Sequence, residues 1–130
     1  MLKGDLQEAG HAVLDLGTHS SASVDYPDYG AAMAEAIASG KAERGVLVCG
    51  TGIGISIAAN RHPAVRAALV HDETTARFCR EHNDANVVAF GSRVIGPETA
   101  RAALKVFLST AFAGGRHAAR VAKLSKGVPK

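Results

Sequence analysis

The stretch Cys49-Gly50-Thr51-Gly52-Ile53-Gly54 constrains this chain more than any other. It follows the apolar run Gly45-Val46-Leu47-Val48 and leads into Ile55-Ser56-Ile57-Ala58-Ala59-Asn60, which suits a helix. The pattern reads as strand, glycine loop, helix start. Alternate glycines let the backbone turn tightly and leave no side chain between its N–H groups and a ligand above them. In open α/β sheets ligands gather at the carboxyl ends of strands, where the following helix dipole favours negative charge. Three uses of the loop stand open: a site for a small anion or oxyanion, a nucleotide site, or a tight turn with no ligand. The dinucleotide pattern G-x-G-x-x-G fails because positions 55 and 57 are Ile, and the P-loop pattern fails because no Lys-Ser or Lys-Thr follows. The small-anion site is the favoured reading.

The remainder of the chain repeats the strand-to-helix rhythm. Met1 to Ala9 reads as a short helical end stopped by Gly10, and His11-Ala12-Val13-Leu14-Asp15-Leu16 as a strand closed by Gly17 and the polar loop Thr18 to Ser23. Pro27 suits a helix N-terminus, and apolar residues at helical spacing run from Tyr29 to Ser39 before Gly40. After β-type residues at 45–48, a third strand is expected over Val65–Val70. Asp72 is placed to cap a helix from Glu73 to about Glu81, and a fourth strand is expected over Asn86–Phe90. Pro97 opens the longest helix, to about Phe112, and Gly114-Gly115 separates it from a last short helix over Arg116–Leu124. Four strands alternating with helices in 130 residues predict one domain, residues 1–130, built on a parallel sheet. The composition agrees: 47% hydrophobic with only 5% aromatic means a core of Ala, Val, Leu and Ile, as in sheets covered on both faces.

Charge and cysteine usage narrow the class. The net charge of +3 is local, since Arg116, Arg120, Lys123, Lys126 and Lys130 fall in a C-terminal stretch without acids. That stretch also lacks aromatics for base stacking, which argues against nucleic acid. Two cysteines make no disulfide framework, no signal peptide opens the chain, and the longest uncharged run, 46–60, is too short and glycine-rich to span a bilayer. A cytoplasmic protein is expected.

Cys49 is the only titratable side chain from 49 to 60, so any base or nucleophile of the loop itself is this thiol. A helix N-terminus favours its thiolate; the alternative is a small buried hydrophobe. Cys79 reads as a core or surface thiol. His82-Asn83 is a polar pair at a helix end, able to work as acid or base near neutral pH. The histidines at 11, 19, 62, 71, 82 and 117 show no metal-ligand spacing on a helix. Arg116 and Arg120 share a helical face and can grip one phosphate, or form a solvated basic surface.

Five blocks then align in order with one family. Asp25-Tyr26-Pro27-Asp28-Tyr29, the run Cys49 to Asn60, Arg80-Glu81-His82-Asn83-Asp84-Ala85-Asn86-Val87, Gly91-Ser92-Arg93-Val94-Ile95-Gly96 and Gly114-Gly115-Arg116-His117 together resemble ribose-5-phosphate isomerase type B. This family includes allose-6-phosphate and galactose-6-phosphate isomerases. The resemblance implies a Rossmann-like three-layer α/β/α sandwich with five parallel strands, four of them identifiable here. It also implies a homodimer or tetramer whose sites draw residues from two subunits, and neither metal nor organic cofactor.

Position by position, the resemblance implies that Cys49 is the base moving a proton between C2 and C1 of the open-chain sugar. It makes Gly50, Gly52 and Gly54 part of an anion hole for the enediolate, Thr51 and His82 the ring-opening residues, Tyr26 and Asn83 sugar contacts, and Arg116 with Arg120 phosphate ligands. The expected activity is interconversion of ribose 5-phosphate and ribulose 5-phosphate. Isomerisation of allose 6-phosphate or galactose 6-phosphate is the rival within the class, and an inactive sugar-phosphate-binding subunit the rival outside it. The family opens with an inner strand ending in an Asp-His pair, which this sequence lacks; the expected explanation is a start upstream of Met1.

Overall fold

A computed structural model describes residues 1–17 and 23–126. The expected loop over Thr18–Ser23 lies outside the described residues but for Ser23, and so does Lys130 of the basic stretch. Among the described residues six helices and three strands follow in the order α1 (Leu2–Glu8), α2 (Tyr26–Ala38), β1 (Gly45–Cys49), α3 (Ile53–Asn60), β2 (Ala67–Leu69), α4 (Glu73–Glu81), β3 (Val87–Gly91), α5 (Pro97–Ser109) and α6 (His117–Ser125). The strands are parallel in the order β1-β3-β2, with Gly45 opposite Val87, Cys49 opposite Gly91 and Ala67 opposite Val87.

β3 lies in the middle and is buried along its whole length. Its alternation divides the core. Val88 and Phe90 join Ala76, Cys79, Ala103, Leu104 and Phe107 of α4 and α5, while Val87 and Ala89 join Met33, Ala34, Ile55 and Ala59 of α2 and α3. A continuous apolar strand is what a parallel sheet covered on both faces requires, and the expected α/β/α sandwich is borne out. α1 lies on the α5 side, with Leu2 and Leu6 against that core and Asp5 paired to Arg101 at 3.0 Å.

Local signals account for most boundaries. Asp72 accepts from the Thr75 N–H at 2.7 Å and caps α4 as expected. α2 begins at Tyr26, a turn earlier than its apolar pattern, because Asp25 is its N-cap and Pro27 stands in the first turn. α5 ends at Ser109 instead of near Phe112: Thr110 is extended, and its carbonyl accepts from Arg80 Nε at 3.1 Å.

The strand expected over His11–Leu16 does not form, and the described sheet has three strands instead of four. A strand exists through its ladder, and among the described residues this segment has no ladder partner. It runs along a groove of about 1110 Å³ that separates it from β1, with Val13, Leu14, Val46 and Val48 among the lining residues. Asp15 turns the chain locally, accepting the Gly17 N–H at 3.0 Å and pairing with Lys3 at 3.2 Å. Among the described residues no helix is long and apolar enough to cross a membrane.

Candidate active site

Cys49 ends β1, and the strand's alternation puts it on the same face as Leu47, toward α2 and α3. The chain must then climb steeply into α3, and Gly52 makes that possible with φ 77°. A Cβ at Gly52 would sit 2.6 Å from Leu69 Cδ1 and 2.9 Å from the Phe90 carbonyl carbon, so only glycine fits. The loop thus folds back over its own cysteine. Gly52 N–H donates to Cys49 Sγ at 3.1 Å, and the N–H groups of Ile55 and Thr51 and the Thr51 hydroxyl also act on the sulfur. Desolvation is the largest single influence and raises the thiol pKa, but these donors together outweigh it and hold the pKa below the ordinary cysteine value.

Two more side chains reach the same place. The Tyr26 ring, at the start of α2, lies where a Cβ on Gly54 would be, 2.5 to 2.9 Å from it. Arg93 lies across Gly50, its Cδ and Nε 3.6 Å from where a Cβ would stand. The loops after β1 and β3 are laced to each other: Ser92 N–H donates to Cys49 O and Arg93 N–H to Gly50 O, both at 2.9 Å. Arg93 escaped the sequence reading. The signal was present, since it is a cation two residues beyond the carboxyl end of a strand, where ligands of parallel sheets collect.

His82, Asn83, Arg116 and Arg120 form a second group. His82 stacks between Phe78, 4.8 Å between centroids, and His117, at 4.5 Å. Arg116 is the N-cap of α6, and Arg120 lies in its second turn on the same side. His117, also missed by the sequence reading, has its pKa held below the ordinary imidazole value by desolvation first, then by His82, Arg116 and Arg120, with Glu81 opposing. An anion beside the start of α6 would meet two guanidinium groups, an imidazole pair and the positive end of a helix dipole.

The two groups stand at opposite edges of the sheet. Cys49 is level with Gly91 at the end of β3, whereas His82 and Asn83 precede the first residue of that strand, Val87. Four steps of about 3.3 Å each separate the strand's ends by about 13 Å, with the sheet in between. The structure therefore brings Tyr26, Cys49, Gly50, Thr51, Gly52 and Gly54 together, and separately His82 with Arg116 and Arg120, but does not join these sets within one chain.

The fold and its side chains define a parallel α/β sandwich with a donor-surrounded thiol in a glycine loop at a strand end and a distinct arginine-histidine cluster that attracts anions. Comparison with known proteins gives the family. The model of the ribose/galactose isomerase family matches residues 1–124. Ribose-5-phosphate isomerase B of Escherichia coli is 47% identical over 116 residues, covering 89% of this chain and 78% of that one. The galactose-6-phosphate isomerase subunit LacB of Clostridium acetobutylicum is 45% identical, covering 82% and 62%. The solved structure of Clostridium thermocellum ribose-5-phosphate isomerase B superposes with a TM-score of 0.94 at 49% identity, covering 96% of this chain and 84% of that one. The chain belongs to the ribose/galactose isomerase family. The resemblance read from the five blocks is borne out, and so is the expectation of a sugar-phosphate isomerase.

Proposed function

We propose that this protein interconverts ribose 5-phosphate and ribulose 5-phosphate through an enediolate, with Cys49 as the base. The observation that carries the reading is the set of donors around the sulfur, which favours a thiolate at the mouth of the loop. In the forward direction the thiolate takes the C2 proton of the open-chain aldose, the electrons move onto the C1 carbonyl oxygen, and the enediolate results. Return of the proton to C1, with transfer of the hydroxyl proton from O2 to O1, gives the ketose. Loop N–H groups that are not turned to the Cys49 sulfur stabilise that charge by about 3 kcal/mol each, by analogy with other oxyanion holes. Thr51 and His82 assist ring opening, and Tyr26 and Asn83 contact the sugar.

We further propose that each site is completed by a second copy of the chain. His82, Asn83, Arg116 and Arg120 of one copy serve Cys49 and the loop of the other, which overcomes their separation across the sheet. In support, α3 presents Ile53 and Ile57 to solvent, 50% and 60% exposed and one turn apart, directly after the loop. A face of this kind suits burial against another subunit.

The test follows ketose formation from ribose 5-phosphate by wild type and Cys49→Ala. Turnover by wild type and its loss in the variant are expected; an intact dimer without turnover refutes the function, and a fully active variant refutes the role of Cys49. The likeness to LacB supports a second reading, action on a 6-phosphohexose, which a comparison of kcat/KM for ribose 5-phosphate, allose 6-phosphate and galactose 6-phosphate decides.

A further inference from the structure

Arg80 is 3% exposed, although it stands in the last turn of a surface helix where an arginine could reach water. Burying a guanidinium is unfavourable unless its charge and its N–H groups are matched. Here the matching ties three parts of the chain together. Nη1 donates to Asp84 Oδ1 at 2.8 Å and to Ala85 O at 2.7 Å, and Nε donates to Thr110 O at 3.1 Å.

The tied segments are the ones that carry the second group of site residues. His82 and Asn83 lie between Arg80 and Asp84, in a turn closed by Asp84 N–H to Arg80 O at 3.2 Å. Thr110 begins the connection to Arg116 and His117, and Ala113 N–H bonds back to Glu81 O at 3.1 Å. Asp84 has φ 47°, the only positive value at a non-glycine residue among those described. Such a conformation persists where neighbours over-determine it. Arg80 holds its carboxylate from one side, while Arg66 donates from Nε to Asp84 O at 2.9 Å and from Nη1 to Ser125 Oγ of α6 at 3.1 Å.

We propose that Arg80 is a positioning residue: by joining the His82–Asn83 turn to the connection leading into α6, it sets the spacing between the sugar-binding pair and the phosphate-binding arginines. The inference rests on the reading above that these residues bind a phosphorylated sugar. It adds a reason for the buried charge. A hydrophobe could fill the same volume, but only a planar fork can hold one carboxylate and two carbonyls from separate segments in fixed directions.

The test is Arg80→Lys, which keeps the charge and loses the fork. KM for ribose 5-phosphate and the dissociation constant of inorganic phosphate, the latter by calorimetry, are expected to rise together by about tenfold, the equivalent of one charge-assisted hydrogen bond. The alkylation rate of Cys49, at the other edge of the sheet, should stay at the wild-type value. A purely structural Arg80 would lower the folded fraction, and hence apparent kcat, with KM and phosphate affinity within about twofold of wild type; that result overturns the proposal. Should Arg80→Lys fail to fold, Asp84→Asn removes the charge pairing with almost no change of shape, and because Asp84 Oδ2 also pairs with Arg66 Nη2 at 3.5 Å, Arg66→Gln is its control: a rise in KM and in the phosphate dissociation constant well beyond the control's is expected, and an equal effect overturns the proposal. Absence of turnover by wild type would refute the isomerase reading alone, because phosphate affinity still reports on the positioning.

Discussion

Subunit mixing tests the division of the site most directly. Cys49→Ala removes the proposed base, and the double variant Arg116→Ala with Arg120→Ala removes the proposed phosphate grip. Loss of general-base catalysis lowers the rate by about 10² to 10⁴. Two charge-assisted hydrogen bonds at about 1.5–3 kcal/mol each correspond to a similar factor. Each parent should therefore be nearly inactive. Because β3 holds the two groups about 13 Å apart, a shared site takes Cys49 from one copy and the arginines from the other. A mixed dimer then contains one site with both defects and one with none. Random assortment gives mixed dimers in half of the population, so activity should recover to about a quarter of wild type. The two proteins are refolded together, ketose formation is followed, and native mass spectrometry counts the mixed dimers. Cys49→Ala mixed with Tyr26→Ala, two defects in the same half, should show nothing above the average of its parents. Verified mixed dimers with only background activity would refute the shared site.

Three further results are expected. The acid limb of the kcat/KM profile reports the free Cys49 thiol: activity rises with pH as the thiolate forms, with a midpoint below the ordinary cysteine value, and Thr51→Val moves the limb to higher pH by removing a hydroxyl that favours the thiolate. An unmoved limb would refute the assignment. Native iodoacetamide should add one adduct, at Cys49, read by intact mass; Cys79 is buried, its pKa pushed up to about 11, and should react only after unfolding. Two adducts on the native protein would refute this account. The two loop glycines should also fail differently: in Gly54→Ala the atoms nearest the new methyl belong to the Tyr26 ring, which is 47% exposed and can swing outward, so KM rises while Tm stays close to wild type. In Gly52→Ala the methyl meets Phe90 backbone at positive φ, and urea unfolding should show a loss of about 1–3 kcal/mol. Equal stability of the two variants would refute the distinction.

The β1-loop-α3 unit was legible because every local signal agrees there: an apolar run, spaced glycines and a helix-compatible continuation. Asp72 and α4 were legible for the same reason. His11–Leu16 was misread because its residues suit a strand, and local pattern says nothing about whether a neighbouring strand lies within hydrogen-bonding distance. The end of α5 was overshot because the cause is 30 residues away, where Arg80 takes the Thr110 carbonyl. Arg93 escaped notice because its neighbour, Gly50, is distant in sequence and has no side chain to complement.

The opposition of the two halves follows from topology once the strands are known. In a parallel sheet every loop after a strand lies at one edge and every turn into a strand at the other. Cys49 and Arg93 follow strands, and Tyr26 starts the helix that descends from that same edge toward β1. His82 and Asn83 lead into β3, and α5 carries the chain from the end of β3 down to Thr110, beside Arg80. Conformational change within one fold cannot carry residues through a covered sheet. With Cys49 as the proposed base at one edge and Arg116 and Arg120 as the proposed phosphate grip at the other, one substrate can meet both only through a second molecule, and the exposed Ile53 and Ile57 beside the loop offer an apolar face for it.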